Sequence, residues 1–195
     1  MKKILSFLVA LTMVAAGLTT PLWAGTIDFE SMPQDYWYYG GQVNFGNYWA
    51  GVNFGPESTI LEDQVYGYNS SGYPPHSGHA VLFSISTPHI IADFDVPVDH
   101  VSLWYTSTSL FYLDAYNSVG TLIASSVGSS NYGTNSYLDV NVADIAYVKM
   151  HDSGNYFTID DFTAPFLTGN PRGVPEPTTL LLFGVGLVGV GIARR

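Results

Sequence analysis

Between residues 25 and 165 the chain alternates short runs of apolar, aromatic and β-branched residues with clusters of Gly, Pro, Asn and Ser. Runs of four to eight residues bounded in this way read as strands. The predicted strands are Thr26–Glu30, Gly51–Phe54, Ala80–Ile85, His89–Asp95, Val98–Thr106, Leu110–Asn117, Thr121–Val127, Ser136–Val140, Ile145–His151 and Tyr156–Thr163. Alternation is sharpest in the second half. Val101, Leu103 and Tyr105 share one face against Ser102 and Trp104, and Phe111, Leu113 and Ala115 oppose Tyr112, Asp114 and Tyr116. Asn117–Gly120 is a tight connection and Gly128–Asn135 a longer polar loop. No ten-residue stretch keeps a helical period without a Gly or Pro breaking it. The pattern predicts an all-β chain folded as an antiparallel jelly-roll-type β-sandwich.

The two ends follow a different pattern. Lys2 and Lys3 precede an apolar run, Ile4–Leu18, and Pro21-Leu22-Trp23-Ala24 supplies a small residue at a cleavage point. This is the layout of a Sec-type signal peptide, residues 1–24, engaging the Sec machinery. At the other end, residues 167–177 form a Pro- and Gly-rich linker, expected to be extended. Residues 178–195 hold an uncharged apolar run closed by Arg194 and Arg195, which resist crossing a bilayer. The sixteen apolar residues make roughly 24 Å of helix, short of a hydrocarbon core of about 30 Å. An unprocessed anchor would be longer. Together with Pro175, Glu176 and Pro177, this ending resembles the PEP-CTERM sorting signal of Gram-negative bacteria. The resemblance implies a transient membrane anchor, recognition by an exosortase, and transfer to the cell surface or extracellular matrix.

Charge narrows the partners. Of the 16 Asp and Glu residues all but Glu176 lie within 25–170, facing one base, Lys149, so that segment carries a formal charge of −14. Such a surface repels phosphate backbones and excludes nucleic acid as a partner, while favouring divalent cations and neutral molecules. There are no cysteines, so stability rests on the core, and residues 25–166 suffice for one sandwich domain.

Three clusters are candidates for chemistry. Asp35–Tyr39 and Phe45–Trp49 bring Trp37, Tyr38, Tyr48 and Trp49 into Gly-rich sequence beside Asn, Gln and Asp. Flat rings next to hydroxyl-bonding side chains suit a sugar, although rings of these types also fill cores. The second cluster, His76-Ser77-Gly78-His79, lacks a third zinc ligand and a nucleophile-elbow context, and reads as a polar turn before a strand. The third is acidic: Asp28 and Glu30 in the first strand, Asp160 and Asp161 in the last. Alternation puts Asp28 and Glu30 on one face, whereas Asp160 and Asp161 point to opposite faces unless a bulge intervenes.

The segments Thr26–Glu30, Gly51–Gly55, Tyr73–Gly78 and Asn155–Phe162 are similar to those of exported PEP-CTERM proteins with a galactose-binding-like sandwich. That resemblance implies that the first and last strands are neighbours and that a structural calcium sits near Asp28, Glu30, Asp160 and Asp161. Residues and resemblance together predict an exported, non-catalytic protein that associates with extracellular polysaccharide. The alternatives are an acidic structural matrix protein without a ligand and, less favoured by the small domain, a hydrolase using a carboxylate pair.

Overall fold

The computed structural model describes residues 24–32, 46, 48–55, 58–63, 68–165 and 167. The signal peptide, Trp37, Tyr38, the sorting motif and the 178–193 apolar run lie outside the described residues. Among those described, no helix is long and apolar enough to cross a membrane.

Among the described residues, nine antiparallel strands form the domain: β1 (Ala24–Ile27), β2 (Val52–Phe54), β3 (Ser58–Glu62), β4 (Ala80–Ser84), β5 (His89–Ser107), β6 (Phe111–Tyr116), β7 (Leu122–Gly128), β8 (Ser136–His151) and β9 (Phe157–Pro165). The hydrogen-bonded path runs β3-β4-β9-β5-β8-β6-β7, with β1 on β9 and β2 on β5. Two strands are long enough to serve both layers of a sandwich. The first half of β5 pairs with β2 and the end of β8, while its second half pairs with the start of β8 and with β9.

The bend has a local cause. Register slips between Asp93 and Val98 and again before His100, where Pro97 has no N–H to give the ladder. On β8 the same level carries Asp144, a non-glycine residue at φ 75°. The predicted pairs 89–95 with 98–106, and 136–140 with 145–151, are therefore each one bent strand. The sequence reading missed β3, whose Ser-Thr-Ile-Leu-Glu is short and begins with two hydroxyl residues, all the same buried against β4.

Alternation translates directly into the core in β6, whereas in β5 Ser102 is buried along with Val101 and Leu103. Val101, Leu103, Tyr105, Phe111, Leu113 and Ala115 are all buried, and Tyr112, Asp114 and Tyr116 are half-buried on the opposite side. Aromatic rings close the core between the layers. Phe29, Trp49, Phe54 and Phe162 meet edge to face at 5.3–5.9 Å, and Tyr105 stacks on Phe111 at 4.5 Å. With no disulfide to assist, Phe162→Ala is expected to lower unfolding free energy by about 3–5 kcal/mol, measured by urea denaturation of the full-length chain.

Candidate functional site

The acidic cluster is assembled by a turn rather than by the strands alone. β1 ends at Ile27, because Phe29 takes a left-handed φ of 63° and redirects the chain. Strict alternation therefore does not carry through Asp28 to Glu30, as the sequence had suggested. Asp28 stays local, its Oδ1 accepting the N–H of Glu30 at 3.2 Å. Glu30 reaches the turn before β4, where its Oε1 accepts the N–H groups of His79 and Ala80, each at 2.7 Å.

In β9 the conditional bulge is present. Between the pairs Trp104↔Asp160 and Ser102↔Thr163 the last strand has one residue more than β5, and Asp161 sits at φ 46°. The extra residue lets both carboxylates grip the same turn. Asp160 Oδ2 accepts the N–H of His76 at 2.7 Å and of Ser77 at 2.8 Å, and Oδ1 accepts the N–H of Asp161 at 2.7 Å. Asp161 takes a bond from His76 Nδ1 at 2.6 Å and another from Ser77 Oγ at 2.8 Å. The polar turn expected at 76–79 is thus the segment that the three carboxylates hold.

Gly78 is required where it stands. Its φ is +54°, and a Cβ there would lie 2.3 Å from Glu30 Oε1. His76 also lies flat on Trp104, ring centroids 3.6 Å apart and 9° from parallel. Asp160 is 1% exposed. Burial and the adjacent Asp161 charge push its carboxyl up to about 7, and its three backbone donors pull the other way without cancelling the rise. Among the described residues no group of three or more His, Asp or Glu side chains is arranged to hold a metal ion.

The aromatic candidates separate. Trp49 is 1% exposed and packed against Phe29 and Phe54. Its expected sugar-facing role is corrected by that burial, since a ring enclosed by other rings offers no face to a ligand. Tyr48 is half-buried over the core and donates its hydroxyl to the Ser31 carbonyl at 2.9 Å.

Rings that the sequence reading did not single out as a site lie on the outward face of β6 and β8. Register places Tyr112 opposite His151, Asp114 opposite Lys149 and Tyr116 opposite Tyr147. Tyr116 and Tyr147 stack at 4.8 Å and 4°, Tyr112 and His151 at 5.0 Å and 10°. The two pairs are four residues apart on each strand, roughly 13–14 Å. Between them Asp114 accepts Ser125 Oγ at 2.5 Å and meets His151 Nε2 at 3.1 Å. Burial, with the charges of Asp114 and the Tyr147 phenol, raises the Tyr116 hydroxyl above its usual range. The alternation Tyr112, Asp114, Tyr116 was visible in the sequence; its pairing with residues 147–151 was not.

The PEP-CTERM protein-sorting motif matches residues 173–195. It marks the chain as an exported protein held by its C-terminal segment before processing, and it implies an exosortase. No curated protein matches the chain. Among solved structures, the K2 cleaved adhesin domain of Lys-gingipain is 14% identical, with a TM-score of 0.43 over 74% of this chain and 100% of that one. The K1 adhesin domain of Lys-gingipain from Porphyromonas gingivalis W83 is 12% identical, TM-score 0.40, over 73% of this chain and 97% of that one. TmCBM61, solved with β-1,4-galactotriose, is 10% identical, TM-score 0.37, over 68% of this chain and 95% of that one.

The Asp160 carboxyl gives a pH signature. Its folded value lies above the ordinary 3.8 of the unfolded chain, so between those values the folded state binds the extra proton. The stabilisation is fully present at about pH 4 and is lost as pH rises through about 7. Thermal melts from pH 4.5 to 8 are expected to show a downward slope that is flatter in Asp160→Asn; equal slopes would mean that Asp160 does not titrate there.

Proposed function

We propose that this exported, PEP-CTERM-sorted protein is a non-catalytic surface or matrix component that associates with a neutral extracellular polysaccharide through the outward face of β6 and β8. The observation that carries the reading is the two stacked ring pairs, Tyr116–Tyr147 and Tyr112–His151, flanking Asp114 and Lys149. Strand-borne rings are fixed in place, so little side-chain freedom is lost when a ligand docks. They combine apolar surface with hydroxyl, carboxylate, ammonium and imidazole groups suited to sugar hydroxyls. The formal charge of −14 over 25–170 favours a neutral chain over an acidic one.

The competing reading is a structural coat protein without a ligand, in which the same ring pairs only stabilise the sheet. The uncharged, proline-free edge strand β7, with Leu122 and Val127 half exposed, favours that reading as a surface for packing.

Affinity electrophoresis in gels containing neutral polysaccharide separates the two. Tyr116→Ala with Tyr147→Ala is expected to weaken retention roughly tenfold, corresponding to about 1.4 kcal/mol, while the fold is kept. Unchanged retention, or none in the native protein, would leave the structural reading. Sorting is tested apart from binding: replacing Pro175, Glu176 and Pro177 with Ala is expected to leave near-full-length protein in the inner membrane. Normal processing and destination would contradict the sorting role.

A further inference from the structure

The calcium ion expected beside the first and last strands requires six to eight hard oxygens at about 2.3–2.6 Å. Six of the eight carboxylate oxygens that would supply them already accept hydrogen bonds. Glu30 Oε1 holds the N–H groups of His79 and Ala80. Both oxygens of Asp160 hold the N–H groups of His76, Ser77 and Asp161. Both oxygens of Asp161 hold His76 Nδ1 and Ser77 Oγ. Asp28 Oδ1 accepts the N–H of Glu30. The donor set does not fit calcium.

We infer that the 76–80 turn takes the place of a structural cation, stapling the exit of β1 to the bulge of β9 through its own N–H and O–H donors. The argument is one of shape and charge. A cation at such a junction would have to draw carboxylates from two strands around one point, and here the turn reaches each carboxylate separately. The N–H of His76 and the N–H of Ser77 converge on a single oxygen, and those of His79 and Ala80 on another, as successive amides do around an anion. Each bond is charge-assisted wherever its carboxylate is ionised, which makes it stronger than a neutral one.

Two details tie the turn to this task. Gly78 has the left-handed φ that lets 76–77 and 79–80 face two different carboxylates, and no side chain fits beneath it. The Asp161 bulge brings a second carboxylate of β9 to the turn, where regular alternation would have turned it away. His76 adds a further contact by covering Trp104, itself the Cα partner of Asp160. The staple therefore joins β1, β4, β5 and β9 without an ion.

Thermal melts of the full-length chain in mild detergent, run in chelator and in millimolar calcium, test this. The native melting temperature is expected to agree between the two buffers within about 1 °C, whereas a site filled at about a hundred times its Kd would raise it by roughly 5–10 °C. Gly78→Ala is expected to lower it by roughly 5 °C or more in both buffers. Should that variant fail to fold, Ser77→Ala, which deletes one bond to Asp161 and leaves the backbone donors, is expected to lower it by roughly 2–5 °C. A clear rise of the native protein in calcium overturns the inference. So does a folded Gly78→Ala or Ser77→Ala variant that melts like the native chain.

Discussion

Carboxylates close together on neighbouring strands must be neutralised or hydrogen-bonded, and everything near the β1–β9 junction follows from how that is done. The domain has a single Lys or Arg between residues 25 and 170, so ion pairing cannot serve generally. Backbone N–H groups serve instead for Asp160 and Glu30, and the His76 ring and Ser77 hydroxyl serve for Asp161. Asp160 is met by three backbone N–H groups and Glu30 by two. Asp152 repeats the device at the loop before β9, where its oxygens accept the N–H groups of Gly154, Asn155 and Tyr156. Acidic residues in this chain are thus loop holders as well as solubilising charge. Buried acceptors left unmatched would be costly.

That arrangement leaves the outer sheet face free for a different task. β6 and β8 are paired through five consecutive positions, and their inward residues, Leu113, Ala115, Val148 and Met150, are buried in the core. The outward positions are set by the same alternation. They consist of tyrosines, a histidine, one acid and the domain's only lysine, held on a packed base. A ring stacked on its cross-strand neighbour gains stability from that contact and still presents polar atoms to solvent. Structure and ligand contact are therefore compatible uses of one surface.

Much of the fold was legible because strand alternation is a local signal. Residues 111–116 showed their buried and outward sides directly in sequence, whereas Ser102, on the side opposite Val101 and Leu103, is buried as well. The continuous β5 and β8 were not legible, since a bulge looks like a strand break when only one chain segment is read. Trp49 was misread for a related reason: Tyr and Trp have the same composition signature in a core and in a binding loop, and only the position of Phe29 and Phe54 decides. The task of Asp160 and Asp161 depends on a turn 83–85 residues earlier in the chain. No spacing rule connects them. The His-Ser-Gly-His segment was correctly read as a turn, yet its partners could be found only in three dimensions.

The most direct test of the central claim is hydrogen exchange, followed by mass spectrometry on peptides covering residues 74–82 of the full-length protein. If the carboxylates hold the turn, the amides of His76, Ser77, His79 and Ala80 exchange orders of magnitude more slowly than an open loop, with protection approaching that of the core strands. Exchange at the rate of an unstructured segment would contradict the account, because the junction would then have no protein donors satisfying it.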